Sequence, residues 1–187
     1  DEKDDERTII LAKANMLVYF SDLLSQYSSE EYLKEFSRAA FNAVFQLIRS
    51  NLGVFERVGS DQKYDLILTN PPYVTSGSAS IKAAIDAADL TNHYPHGGRG
   101  TEALAIQWVI SHLKPAGEAF VVVPDGLLNQ ESILAHIKTE CDVLAIVALP
   151  SRSFYSTPKK TYILGIRRKS NHKQQVDPVF TYLVSEI

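Results

Sequence analysis

Cysteine is almost missing from this chain. Cys141 stands alone among 187 residues, so no internal disulfide can form and the sequence suits a reducing, cytoplasmic compartment. An excess of positive charge is missing too. Lys and Arg number 19 against 22 Asp and Glu, a net charge of −3, which argues against a freestanding, strongly basic nucleic-acid binder. A DNA enzyme whose basic surface lies in another subunit or domain stays open. No apolar run approaches the roughly 18 residues of a membrane span. The acidic opening Asp1-Glu2-Lys3-Asp4-Asp5-Glu6-Arg7 has no signal-peptide character. His93, His96 and His112 lack Cys or carboxylate partners at zinc spacing, and no Gly-X-Ser-X-Gly nucleophile elbow occurs. There is no internal repeat and no low-complexity tract. The chain opens without methionine and stops inside a strand-like run at 179–184, so it reads as a piece of a longer polypeptide.

What is present is an ordinary globular composition, 45% hydrophobic and 22% charged, enough for one domain spanning 1–187. Apolar residues at helical spacing (Ile10, Ala14 and Leu17, widened by Leu11, Val18 and Phe20) predict a helix over 8–24. Ser28 and Glu31 form a capping box for a second helix, whose buried side is marked by Leu33, Phe36, Ala40, Val44 and Leu47. A short strand is expected over 52–58 and a buried strand over Tyr64–Thr69. Helices follow near 81–88 and 101–113, the latter stopped by Lys114-Pro115-Ala116-Gly117. Then come a strand at 120–123, a helix at 132–139, and strands at 143–149 and 162–166. This alternation predicts an α/β fold with a mostly parallel sheet and helices on both faces.

Where the strand Tyr64–Thr69 runs out stands Asn70-Pro71-Pro72-Tyr73. Open α/β sheets bind ligands at the carboxyl ends of their strands. Asn70 and Pro71 each precede a proline, so both are driven into extended geometry. The prolines remove two N–H donors and leave carbonyls as acceptors. The Asn70 side-chain oxygen and the Pro71 carbonyl are thereby offered in a fixed relation. An aromatic amine is a poor nucleophile because its lone pair is spread into the ring. Two acceptors pulling on its N–H bonds make the nitrogen pyramidal, and they hold it more tightly as positive charge develops there. Tyr73 can lie on the ring, a stack worth about 1–3 kcal/mol.

The string from Tyr64 through Tyr73 resembles the catalytic motif of N6-adenine DNA methyltransferases, in particular the methylation subunits of type I restriction-modification systems. The likeness extends along the chain. Leu11-Ala12-Lys13-Ala14-Asn15-Met16-Leu17 is similar to the helix after the family's cofactor-ribose strand. Gly100-Thr101-Glu102-Ala103-Leu104-Ala105-Ile106-Gln107-Trp108 is similar to the helix after the catalytic loop. The run 113–126 resembles the next strand and its exit, and 149–154 with 160–164 the closing antiparallel hairpin. The resemblance implies a partial S-adenosylmethionine-dependent methyltransferase fold of Rossmann-like type. It also implies transfer of a methyl group from S-adenosyl-L-methionine to adenine N6 of a base swung out of double-stranded DNA. Asn70 and Pro71, stiffened by Pro72, would grip the amine, and Tyr73 and Phe154 would contact the base. A specificity subunit and an endonuclease subunit are the implied partners.

The sequence departs from the family at one place. No strand followed by a Gly-X-Gly cofactor loop precedes Leu11, and Gly97-Gly98-Arg99-Gly100 follows a polar run, so it reads as a solvated connection. The acidic ribose-binding residue would fall at Asp1 or Glu2, in a register left open, and Asn51 matches a polar residue near the cofactor's adenine. The chain is therefore expected to hold the acceptor half of the active site, with Asn70 at its border, and to be inactive alone. Two other readings remain: methylation of another planar amine, on protein glutamine or RNA guanine, and a non-catalytic module that assembles a restriction complex or holds DNA. The basic residues Lys159, Lys160, Arg167, Arg168 and Lys169 read first as a solvated strand edge and second as phosphate contacts.

Overall fold

Helix-favouring residues fill the start of the chain. The computed structural model folds them as a unit of their own, Asp1–Arg49, and Ser50–Ile187 makes a second, larger unit. The structure describes residues 2–26, 29–36, 38–39, 52–59, 61–71, 78–97, 100–154, 159–171, 174–175 and 177–185. The first unit holds α1 (Glu2–Tyr19), α2 (Ser21–Ser25) and α3 (Glu30–Phe36). Phe36 packs edge-on against Phe20 at 6.0 Å between centroids and stacks on Tyr32 at 6.4 Å. The hydroxyl that caps α3 is that of Ser29, which accepts the Tyr32 N–H at 3.2 Å. Ser28, and the expected continuation through Ala40, Val44 and Leu47, lie outside the described residues. The helix expected over 8–24 is divided at Phe20 into α1 and α2, and its stripe is not buried: Ile10 is 64% and Leu17 47% exposed. Spacing sets the helix; burial needs an opposing surface, and the short α2 and α3 offer little of one.

In the second unit β1 (Tyr64–Thr69), β2 (Leu113–Pro124), β3 (Cys141–Ala148), β4 (Thr161–Arg168) and β5 (Phe180–Leu183) form one sheet in the order β1-β2-β4-β3-β5. β1 pairs parallel with β2 and β3 with β5, while β4 runs antiparallel to both its neighbours. Helices α4 (Ser78–Ala87) and α5 (Thr101–His112) link β1 to β2, and α6 (Glu131–Glu140) links β2 to β3. Alternation along β2 explains the core. Ala119, Val121 and Val123 point one way and join Leu164 and Ile166 of β4 under Ile106, Val109 and Ile110 of α5 and Ile133 and Ile137 of α6. Phe120 and Val122, on the other face, are half-buried. Gly165 opposes Phe120, and a Cβ there would come within 3.0 Å of the ring, so the missing side chain makes room for it.

Two expectations need correction. Residues 52–58 form no strand; Gly53–Arg57 is a 3-10 helix. Leu52, Phe55 and Val58 are buried at every third position, the period of that helix, and they share a second cluster with Ile85, Tyr94 and Leu104. Tyr94 donates its hydroxyl to the Phe55 carbonyl at 2.8 Å, and burial raises its phenol far above the usual range. β1 is also not fully buried. Only Ile67 is, while Leu66 and Leu68 are 52% and 68% exposed, because among the described residues no strand pairs with the outer edge of β1. Lys114-Pro115-Ala116-Gly117 ends α5 as expected but already belongs to β2. It forms a bulge between the pairs Tyr64↔Leu113 and Leu66↔Glu118. A Cβ on Gly117 would lie 2.9 Å from the Tyr64 carbonyl oxygen, so only glycine passes there without a shift.

Ile106, fully buried between α5 and the sheet, and Leu68, on the open edge, give a direct test of this core. Ile106→Ala is expected to cost about 2–5 kcal/mol and Leu68→Ala under about 0.5 kcal/mol. Urea denaturation followed by circular dichroism measures both; equal losses would contradict the assigned core.

Candidate active site

Parallel pairing carries β1 upward beside β2, and at Thr69, opposite Val121, the ladder ends. Asn70 and Pro71 step off this end. Asn70 is exposed, whereas Pro71 is buried. A proline after Asn70 disfavours helical geometry at Asn70. Asn70 and Pro71 line a cleft of about 440 Å³ that runs down β1, walled by Val54, Leu68, Ala105 and Trp108. The Asn70 end of this cleft is polar, and its walls are apolar.

The neighbouring strand ends share the same edge of the sheet. β2 leaves through Pro124 into Asp125, whose N–H donates to the Lys160 carbonyl at 3.0 Å just before β4 begins. The Tyr162 hydroxyl donates to Asp125 Oδ1 at 3.2 Å, and Lys160 Nζ lies 5.8 Å from the centre of the Tyr162 ring. Burial first, and the Asp125 carboxylate second, push the Tyr162 phenol upward. β3 ends in a tight turn in which Ser153 donates to the Pro150 carbonyl through its N–H at 3.3 Å and its hydroxyl at 2.6 Å. Arg152 takes a left-handed φ of 62° in that turn, and the half-buried Phe154 follows it.

The connection into α5 is tied from two sides. Gln107, buried in α5, accepts the His96 N–H at 3.1 Å and donates its amide to the carbonyls of Gly97 at 3.0 Å and Ala103 at 3.1 Å. The His96 ring stacks on His136 of α6 with centroids 4.1 Å apart. Gly100, the residue before α5, has φ 84°, and a Cβ there would fall 2.3 Å from the Glu102 carboxylate. Glu102 is itself buried, and its Oε2 has no hydrogen-bond partner among the described residues.

Of the residues singled out from sequence, Asn70, Pro71 and Phe154 all sit on the carboxyl edge. Asn70 directly follows β1 and Phe154 follows the turn after β3, three strands further along the sheet order. Asp1, Asn51, Pro72 and Tyr73 lie outside the described residues. The basic stretch is divided. Lys159 and Lys160 precede β4 on the Asn70 edge, whereas Arg167 and Arg168 end it on the opposite edge and pair with Glu118 at 2.8 Å and Glu140 at 2.6 Å. Sequence reasoning passed over Asp125, Gln107 and His136. A lone glutamine inside the apolar run Ala103-Leu104-Ala105-Ile106-Gln107-Trp108-Val109 was a readable signal, since a buried amide needs partners.

The family model for N-6 DNA methylases matches residues 2–186. The EcoEI type I restriction enzyme methylase subunit of Escherichia coli is 36% identical over 56% of this chain and 21% of its own length. The EcoKI methylase subunit of E. coli K12 is 28% identical over 67% of this chain and 24% of its own length. The chain thus spans about a quarter or less of these relatives. In three dimensions it is similar to a structure assigned as the modification subunit of a type I restriction enzyme from Vibrio vulnificus. That likeness has a TM-score of 0.53 and 22% identity, over 71% of this chain and 28% of that one.

Burial, and next the facing His96, hold the His136 imidazole down to about 4; the Glu140 carboxylate opposes this and Arg168 adds to it. A base depressed below its ordinary 6.5 binds fewer protons folded than unfolded, so its stability contribution is complete above 6.5 and is lost as pH falls through about 4. His136→Phe keeps a stacking ring and removes the titration. The difference in melting temperature between parent and variant should therefore change between pH 7 and pH 4, in the parent's disfavour; a constant difference would remove His136 from the pH response.

Proposed function

The chain belongs to the N-6 DNA methylase family, and on that basis we propose that it carries the amine-gripping half of an S-adenosylmethionine-dependent DNA adenine N6-methyltransferase. The observation that supports this most is Asn70: exposed, at the carboxyl end of β1 and beside an open cleft. An amide sealed inside the protein would have spoken against it.

S-adenosylmethionine supplies the methyl group. The residues of this chain act on the acceptor. The Asn70 side-chain oxygen and the Pro71 carbonyl each accept one N–H of the adenine amine, which turns the nitrogen lone pair out of the ring plane. The two acceptors would thereby aim the nitrogen lone pair at the methyl group that S-adenosylmethionine would supply when bound. One N–H proton passes to water after the transfer. Both acceptors hold the nitrogen most strongly while it is cationic, so they favour the transition state over the ground state. Tyr73 and Phe154 are assigned to the faces of the extruded base.

The described residues fit one side of a methyl-donor site: Asn70 brings a polar group to the border of an apolar cleft. Asp1 and Asn51 are the candidates for the donor side. Because the Gly-X-Gly loop is not among these 187 residues, the chain by itself is expected to bind the cofactor weakly and to turn over no DNA. The named relatives are subunits of type I restriction enzymes, which supports action on double-stranded DNA alongside specificity and endonuclease subunits.

Incubating the full-length protein with DNA and methyl-labelled S-adenosylmethionine, followed by nucleoside analysis, should show label in N6-methyladenine. Asn70→Ala should lower the rate by about 10²–10³-fold, the range for loss of one preorganised charge-stabilising group, with unchanged circular dichroism. Label in glutamine or guanine would redirect the substrate, and a normal rate in the variant would remove Asn70 from the chemistry.

A further inference from the structure

The five basic residues between 159 and 169 are adjacent in sequence, yet β4 carries them to opposite ends of the sheet. At the far end each cation is engaged. Arg167 takes the Glu118 carboxylate through Nε at 3.0 Å and through its second nitrogen at 2.8 Å. Arg168 holds Glu140 at 2.6 Å, and Lys169 donates to the Lys138 carbonyl at 2.6 Å with Asp142 at 4.0 Å. Lys114 of β2, on this same end, pairs with Asp65 at 2.7 Å. These charges neutralise each other within the fold.

The edge that bears Asn70 is different. Lys160 is exposed just before β4 and Arg152 at the tip of the turn after β3, and neither makes an ion pair among the described residues. Lys159 is exposed next to Lys160. The acids at hand are Asp125, which already accepts the Tyr162 hydroxyl, Glu131 in the first turn of α6, and Glu102 in the first turn of α5, which is buried away from the surface. The Lys160 ammonium lies over the Tyr162 ring, 5.8 Å from its centre, on an exposed side chain that pairs with no carboxylate among the described residues. β4 is two strands from β1, so Lys160, directly before it, stands about 10 Å to the side of the Asn70 strand. Arg152 lies on the same edge, in the turn after β3. A nucleotide swung into the Asn70 cleft stays joined through its sugar to the phosphates on either side. A duplex offers one such charge per about 1.7 Å of axis.

We infer that Arg152 and Lys160, with Lys159 beside them, form a phosphate-holding rim that seats the DNA backbone next to the extruded base. The inference rests on the proposed DNA reading and extends it to residues on two further strand ends. These are positioning residues: they fix where the backbone lies and carry no sequence preference. The rim also resolves the charge of the chain. A net −3 is compatible with DNA contact because acids are matched to cations at the far end, while the Asn70 edge keeps Arg152 and Lys160 for an outside anion.

The test measures binding of a fluorescein-labelled 30-base-pair duplex to the full-length protein across a salt series, and methylation of the same duplex. Removing one cation that touches a phosphate should flatten the log–log salt slope by about 0.9, so R152A/K160Q should flatten it by about 1.8. KM for DNA should rise while kcat at saturating DNA is retained. Lys160→Arg should keep the slope, and Lys114→Ala, at the far end, should leave it unchanged. A double variant with the parent's slope and KM would overturn the rim while leaving the adenine reading in place. A flattened slope in a protein that methylates no adenine would retain the rim and remove that reading. Equal flattening in Lys114→Ala would show diffuse attraction and would also overturn the rim.

Discussion

Everything at the candidate site hangs on the parallel ladder between β1 and β2. Thr69 is pinned opposite Val121, so the residue after it must leave the sheet on the same edge from which β2 leaves at Pro124. Parallel strands need a crossover, and the crossover here ends in α5, whose buried side holds Ile106 and Val109 against the sheet. Because the helix returns to the foot of β2, its beginning lies at the Asn70 edge. One constraint thus gathers Asn70, Gly100 and Asp125, which are distant in sequence.

The antiparallel strand β4 gives that edge its second character. Inserted between β2 and β3, it runs opposite to both. Its first residue therefore stands with the last residues of its neighbours, and its last with their first. A run of cations spread over either end of such a strand meets two environments. The amino ends of β2 and β3 bring Glu118, Glu140 and Asp142 to one of them. These partly buried pairs fix the distribution of charge at that end of the sheet.

The buried polar groups near the site have a common role. Gln107 satisfies a segment that has no strand or helix to pair with, since its amide supplies one acceptor and two donors to backbone groups at His96, Gly97 and Ala103. The His96–His136 stack anchors the same segment to α6. The loop is thereby attached to both helices that cover the sheet, which suits a segment that must stay put beside an opening.

Periodicity and punctuation were sufficient for much of this. The strands at Tyr64–Thr69 and Thr161–Arg168, the helices between β1 and β2, and the placement of Asn70 at a strand end follow from local rules, because backbone geometry and proline stereochemistry act within a few residues. Family membership was legible too, since Asn70 through Tyr73 recurs with its flanks in order. What the sequence could not decide was which surfaces meet. The strand over 64–69 was expected to be buried and is a half-open edge; 52–58 looked like a strand and wound into a 3-10 helix; Ile10 and Leu17 kept their helix without cover. Nor could it decide which cations share the edge that bears Asn70, since Lys160 and Arg168 are eight residues apart and only the direction of β4 separates them. Local chemistry is written in the order of residues, whereas burial and the grouping of charge depend on strand order and direction, and those exist only once the sheet has closed.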